Sequence, residues 1–200
     1  MDYYRDTVTQ ESWKFLESIA KTYRLVLIGG WAVWLYTHRL KSKDIDIVVD
    51  LPTLGKLKAD FTVGKNDRLR KYEIRKGPLS VDIYVEHWSV PGIPAEEILK
   101  APRSLEGFRV PQAEMLLVTK HVAYLSRQGS SKGRKDLVDI VSLLTLDRLD
   151  WRHYHRLCRR HDSSLPKKLK ELISGTTDVV ELELNRHQFS RYKKIWLEKL

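Results

Sequence analysis

Apolar positions recur along the chain first in short, strand-like runs and later with helical spacing. Trp13, Phe15, Leu16, Ile19 and Ala20 share one face of a helix predicted over residues 9–23, behind a Thr-x-x-Ser start. The apolar run at 24–28 is short and closed by Gly29-Gly30, which predicts a buried strand. Trp31, Trp34 and Leu35 then fall at i, i+3 and i+4 and predict a helix over 31–40. Residues 44–50, DIDIVVD, alternate and then run apolar, as a strand does. A short helix over 51–61 with Pro52 in its first turn comes next, then a polar loop over 63–71. Two strand-like runs over 72–86 are joined by Gly77-Pro78, a hairpin signal. A turn at 89–94, a helix at 95–101 and a short strand at 108–111 complete this part.

After Pro111 the period becomes helical. Residues 112–129 predict a helix ending on Gly129, followed by a basic, polar break, SSKGRK. Leu137, Ile140, Val141 and Leu144 mark the inner face of a helix over 135–146, and further helices are predicted over 151–162, 166–175 and 179–200. The fold class is therefore α+β. A small mixed β-sheet with flanking helices occupies residues 1–110, and a helical domain occupies 111–200.

Composition narrows the setting. The only cysteine is Cys158, so the chain holds no internal disulfide, and a reducing, cytoplasmic location is expected. The first residues carry neither the basic nor the apolar region of a secretion signal, and no run of about 18 apolar residues predicts a membrane span. The net charge is +10, and most of the excess lies beyond residue 108. A polyanion suits that half, either RNA or the phosphates of a nucleotide. The stretch WRHYHRLCRRH at 151–161 reads in two ways: arginines and aromatics for an RNA, or an amphipathic helix with Trp151, Tyr154, Leu157 and Cys158 inside. His153, His155 and His161 lack the i, i+4 spacing of a metal pair and are assigned no site.

The chemistry concentrates between residues 28 and 86. On a strand, Asp44 and Asp46 point to one side, while Ile45, Ile47 and Val49 point to the other. Two carboxylates so close repel unless a cation lies between them. Mg²⁺, a hard ion that keeps room for water and phosphate oxygens, fits that need. Asp82 repeats the pattern in LSVDIYVE; if its strand pairs beside the first, three acids converge as a candidate two-metal site for phosphoryl or nucleotidyl transfer. Gly29 and Gly30, between a strand and a helix, allow close approach of a phosphate, and Ser42 adds a hydroxyl nearby.

Gly-Gly, thirteen intervening residues and then Asp-x-Asp between apolar residues, with a third acid in SVDIYV, resembles the defining motif of the nucleotidyltransferase superfamily, the DNA polymerase β-like fold. The resemblance implies that fold and a Mg²⁺-dependent transfer of a nucleoside monophosphate from an NTP to a hydroxyl, with Asp44, Asp46 and Asp82 as catalytic metal ligands. Residues 110–144 resemble the helical part of AbiEii-type nucleotidyltransferases of toxin–antitoxin systems. That likeness implies that Lys120 contacts the triphosphate, that Asp136 is a further active-site acid, and that a cognate antitoxin is a partner. The superfamily's acceptors include tRNA ends and other RNA, proteins and antibiotics. Two other classes stay open beside the enzyme: a catalytically silent module that binds RNA or protein, and an antibiotic-type small-molecule transferase.

Overall fold

The computed structural model describes residues 3–200 and divides the chain into two compact units, Met1–Gln112 and Ala113–Leu200.

The first unit is built on a five-stranded sheet in the order β1-β2-β5-β4-β3. Its strands are β1 (Leu25–Ile28), β2 (Ile45–Val49), β3 (Val63–Asn66), β4 (Lys71–Lys76) and β5 (Leu79–Val85). All neighbours are antiparallel except β2 and β5, which run parallel. The helices are α1 (Tyr3–Thr22), α2 (Gly29–Thr37), α3 (Leu51–Asp60) and α4 (Ala95–Lys100). A separate ribbon pairs β6 (Arg103–Leu105) with β7 (Phe108–Val110). Leu27, Ile45, Ile47, Val49, Val81 and Ile83 are essentially solvent-free and form the sheet's core. Trp31 donates its indole N–H to the Ser12 hydroxyl at 3.0 Å, and its ring packs with Trp13 and Trp34. These contacts tie α2 to α1 and fix the helix whose first residue is Gly29.

Several boundaries differ from expectation, each for a local reason. α1 starts at Tyr3 rather than at Thr9, since no glycine or proline breaks the preceding residues. α2 includes the Gly-Gly pair and ends at Thr37, where His38 turns left-handed and its N–H caps the Trp34 carbonyl at 2.7 Å. Asp50 leaves β2 to cap α3, accepting from the Thr53 N–H at 2.8 Å. The expected loop at 63–71 contains an edge strand, β3. Its polar residues hide it, because an edge needs only backbone pairing with β4. Asn66 holds the β3–β4 turn by accepting from the Leu69 N–H at 3.1 Å. β6 is likewise too short to be visible as a pattern.

The second unit contains α5 (Ala113–Ser126), α6 (Ser131–Leu144), α7 (Trp151–His161), α8 (Leu165–Gly175), a 3-10 turn (Val180–Leu182) and α9 (Arg186–Lys199). The basic break proves to be the first turn of α6. Ser130 caps it by accepting from the Gly133 N–H at 3.0 Å, and Gly133 fits because a Cβ there would lie 2.3 Å from the Arg127 carbonyl oxygen. The segment expected as one helix over 179–200 is two. Asn185 and Gln188 form a reciprocal capping box that restarts the chain as α9. α7 is amphipathic, with Tyr154, Leu157 and Cys158 inside and Arg152, Arg156, Arg159 and Arg160 outside.

His121 on α5 is fully buried, and among the described residues neither ring nitrogen has a hydrogen-bond partner. Burial, reinforced by the charge of Lys168, lowers its pKa from 6.5 to about 4, so it is neutral in the folded protein. The unfolded chain takes up that proton first as pH falls. The histidine's contribution is whole above pH 6.5 and is lost as pH falls toward 4, in all about 3 kcal/mol. Urea unfolding at pH 7 and pH 4.5 should show a steeper acid loss in the wild type than in His121→Leu.

Candidate active site

The register of the sheet assembles the site. Asp46 on β2 pairs with Asp82 on β5, and Asp82 pairs with Glu73 on β4. Paired residues share a face, so three carboxylates form a row across adjacent strands about 4.8 Å apart. Alternation along β2 buries Ile45 and Ile47 on the opposite face and leaves Asp46 partly open. Asp44, two residues earlier and half-buried, leads into the same strand. Ser42 is buried, and its hydroxyl donates to the Asp44 carbonyl at 3.0 Å, which braces the turn entering β2.

Gly29 belongs to this row as well. Ile28 pairs with Asp46, and Gly29 follows with φ +69° at the start of α2. A Cβ at Gly29 would lie 2.0 Å from Asp46 Oδ2. The glycine thus makes room for the carboxylate as well as for any phosphate at the helix start. Gly29→Ala should therefore displace Asp46. The clash and the left-handed backbone together should lower stability by about 1–3 kcal/mol, read by urea unfolding beside a circular-dichroism check of the fold.

Two side chains that the sequence reading left unassigned complete the row. Lys71, at the start of β4, places its Nζ 2.6 Å from Asp82 Oδ2 and 3.1 Å from Glu73 Oε1. Glu73 also accepts from Asn66 Nδ2 at 3.2 Å and faces Arg75 at 3.4 Å. Burial draws the Lys71 ammonium pKa down, but the pairs with Asp82 and Glu73 outweigh it and hold it above the ordinary value. The bond from Lys71, opposed by burial, keeps the Glu73 carboxyl below its ordinary range. The signal for both was Lys-Tyr-Glu, alternating as Asp-Ile-Asp does, but at the edge of a stretch that reads as loop.

Among the described residues, no three His, Cys, Asp or Glu side chains close into a metal-binding cluster. The third acid of the row is turned onto Lys71 instead. The donor set nevertheless suits a hard divalent ion. The strand expected over 44–50 begins only at Ile45, so Asp44 offers its carboxylate from the bend before β2, while Asp46 and Asp82 are in register and Gly29 clears the space next to Asp46.

Lys120 and Asp136 come together in the second unit. Lys120 Nζ lies 2.6 Å from Asp139 and 3.4 Å from Asp136, and Arg127 binds Asp136 through Nε at 2.6 Å and Nη2 at 3.2 Å. Lys120, Asp136 and Asp139 are all buried. Burial pushes the Asp139 carboxyl above its ordinary value even against the Lys120 charge. Within its own unit the pair therefore forms an ionic link between α5 and α6.

No family model and no curated protein matches the chain. Solved structures do. An antigenic nucleotidyltransferase-like protein from Paracoccidioides brasiliensis is 17% identical, with a TM-score of 0.52 over 94% of this chain and 93% of its own. JHP933 from Helicobacter pylori is 18% identical, with a TM-score of 0.53 over 96% and 93%. ANT(2")-Ia, solved in complex with adenylyl-2"-tobramycin, is 18% identical, with a TM-score of 0.57 over 78% of this chain and 98% of its own. Identities this low carry the fold alone. Among the described residues, no helix is long and apolar enough to cross a membrane. The mixed five-stranded sheet with its flanking helices, followed by a helical part, is the nucleotidyltransferase fold.

Proposed function

We propose that this chain transfers a nucleoside monophosphate from an NTP to a hydroxyl acceptor and releases pyrophosphate. The observation that carries this reading is the in-register pairing of Asp46 with Asp82, with Asp44 in the bend just before β2 and Gly29 pressed against Asp46.

Backbone N–H groups at Gly29 and Gly30, which open α2, face the negative charge of the triphosphate favourably. Asp44 and Asp46 would hold Mg²⁺, with Asp82 as the third acid beside them. Bound there, the ion would neutralise phosphate charge and lower the pKa of the acceptor hydroxyl. The hydroxyl oxygen forms a bond to the α-phosphorus while the α–β phosphoanhydride bond breaks. The leaving pyrophosphate takes that electron pair, and Asp82 or solvent takes the hydroxyl proton.

RNA is the acceptor class we favour. The support is the outward row of Arg152, Arg156 and Arg159 on α7 within a chain of net charge +10. Incubation with each α-labelled NTP and Mg²⁺, with total RNA, total protein and small hydroxylated amines offered separately, tests both points. Label in RNA supports the whole reading. Label in protein only moves the acceptor, and label in neither, nor in small hydroxylated amines, removes the transferase.

A further inference from the structure

The tryptophans that tie α2 to α1 also line a pocket. Trp13 on α1 and Trp31 and Trp34 on α2, with Thr9, Gln10, Lys14 and Lys41, border an open cavity of about 280 Å³ in the first unit. Trp31 is its floor, 2% exposed, and its N–H is already taken by Ser12. Trp13 and Trp34 are half-buried. Their rings meet at 70° with centroids 5.1 Å apart, and Trp34 meets Trp31 at 88° and 5.6 Å. Phe108 approaches Trp13 at 56°, and His38 approaches Trp34 at 80°. None of these partners stacks flat on Trp13 or Trp34, which leaves π-face for one more planar group.

Charge selects the occupant. Rings at steep angles could cage a quaternary ammonium. Here Lys14 and Lys41 are exposed at the rim, and no carboxylate is among the described residues that line the pocket. A cation therefore meets repulsion and an anion attraction. A nucleobase with its phosphate is a planar group that carries negative charge. Trp31 is the one buried residue among the seven that line the cavity, and its N–H is spent, so the floor stacks a base without reading its edge. Such a site suits a strand, whose affinity sums over successive phosphates, better than a free nucleotide.

We propose that the Trp13–Trp31–Trp34 pocket holds one base of a single-stranded nucleic acid, with Lys14 and Lys41 on the flanking phosphates. Binding here does not depend on nucleotide transfer, and the test measures binding alone. Fluorescence anisotropy follows two fluorescein-labelled strands of equal length on the full chain, an oligouridylate and a strand without bases. We expect Trp34→Leu to weaken the oligouridylate about tenfold, Trp34→Phe to weaken it less, and neither to change the strand without bases, since stacking one base is worth about 5- to 100-fold. Lys14→Gln/Lys41→Gln should lower the slope of log Kd against log salt by about 1.4, two phosphates at about 0.7 each. No loss in Trp34→Leu, an equal loss for both strands, or an unchanged salt slope overturns the inference. So does a wild type that binds no strand, or one that binds uridine monophosphate as tightly as the oligouridylate. If Trp34→Leu does not fold, the salt slope of the exposed lysine pair decides. Each overturning result leaves nucleotide transfer itself standing.

Discussion

Replacing Asp44 and Asp46 together by Asn removes nucleotide transfer, by about a thousandfold or more, while the protein stays folded. The size follows from their role: each would meet charge that develops on the triphosphate and the attacking oxygen, where a single preorganised electrostatic contact is worth about two to three orders of magnitude. The fold survives because neither residue is buried, whereas Ile45, Ile47, Val48 and Val49 hold β2 in the core. The melting temperature shows whether the fold is intact. The assay is transfer of label from an α-labelled NTP, read beside thermal unfolding. Wild-type transfer by the double variant would eliminate the acidic row as the active site.

Lys120→Met has the opposite profile: stability falls by about 3–5 kcal/mol. Lys120 lies 2.6 Å from Asp139, which is solvent-free, and removing one partner of a buried pair leaves the carboxylate with only the weaker attraction of Lys135. Asp136 keeps its two bonds from Arg127, so the loss is centred on Asp139. Adding Asp139→Leu should restore most of the stability, because an apolar pair of similar volume needs no desolvation. Urea unfolding of the two single variants and the double variant forms the cycle. Additive losses would mean that the pair does not couple α5 to α6.

The strand–Gly-Gly–helix–Asp-x-Asp order and the Gly77-Pro78 hairpin are readable from residues alone, because each rests on local alternation or on a turn residue. β3 and β6 are not, since an edge strand needs backbone partners and no apolar stripe. The first turn of α6 hides behind Ser and Gly, residues typical of loops that here serve as a cap and a close contact. Asp46 and Asp82 stand out as acids flanked by isoleucine and valine, and Asp44 by its spacing of two from Asp46. Lys71 and Glu73 do not, because a charged residue on a short, partly exposed strand looks like surface until the register is known. The pairing of Asp46 with Asp82 follows from strand order, which no local pattern specifies.

That strand order also has a kinetic side. Lys71, Glu73 and Asp82 all lie on the β4–β5 hairpin, whose turn is closed at Gly77-Pro78. A hairpin forms on a microsecond scale, and this one carries its own counter-ion, so its charges are matched before it meets the rest of the sheet. Asp46 arrives through the parallel β2–β5 pairing, a non-local step that must close a long intervening loop. Asp46 and Asp82 meet through that non-local pairing, whereas Lys71 reaches Asp82 within the hairpin. Contact order thus favours the local match of Lys71 with Asp82 ahead of the non-local pairing that brings Asp46 beside it.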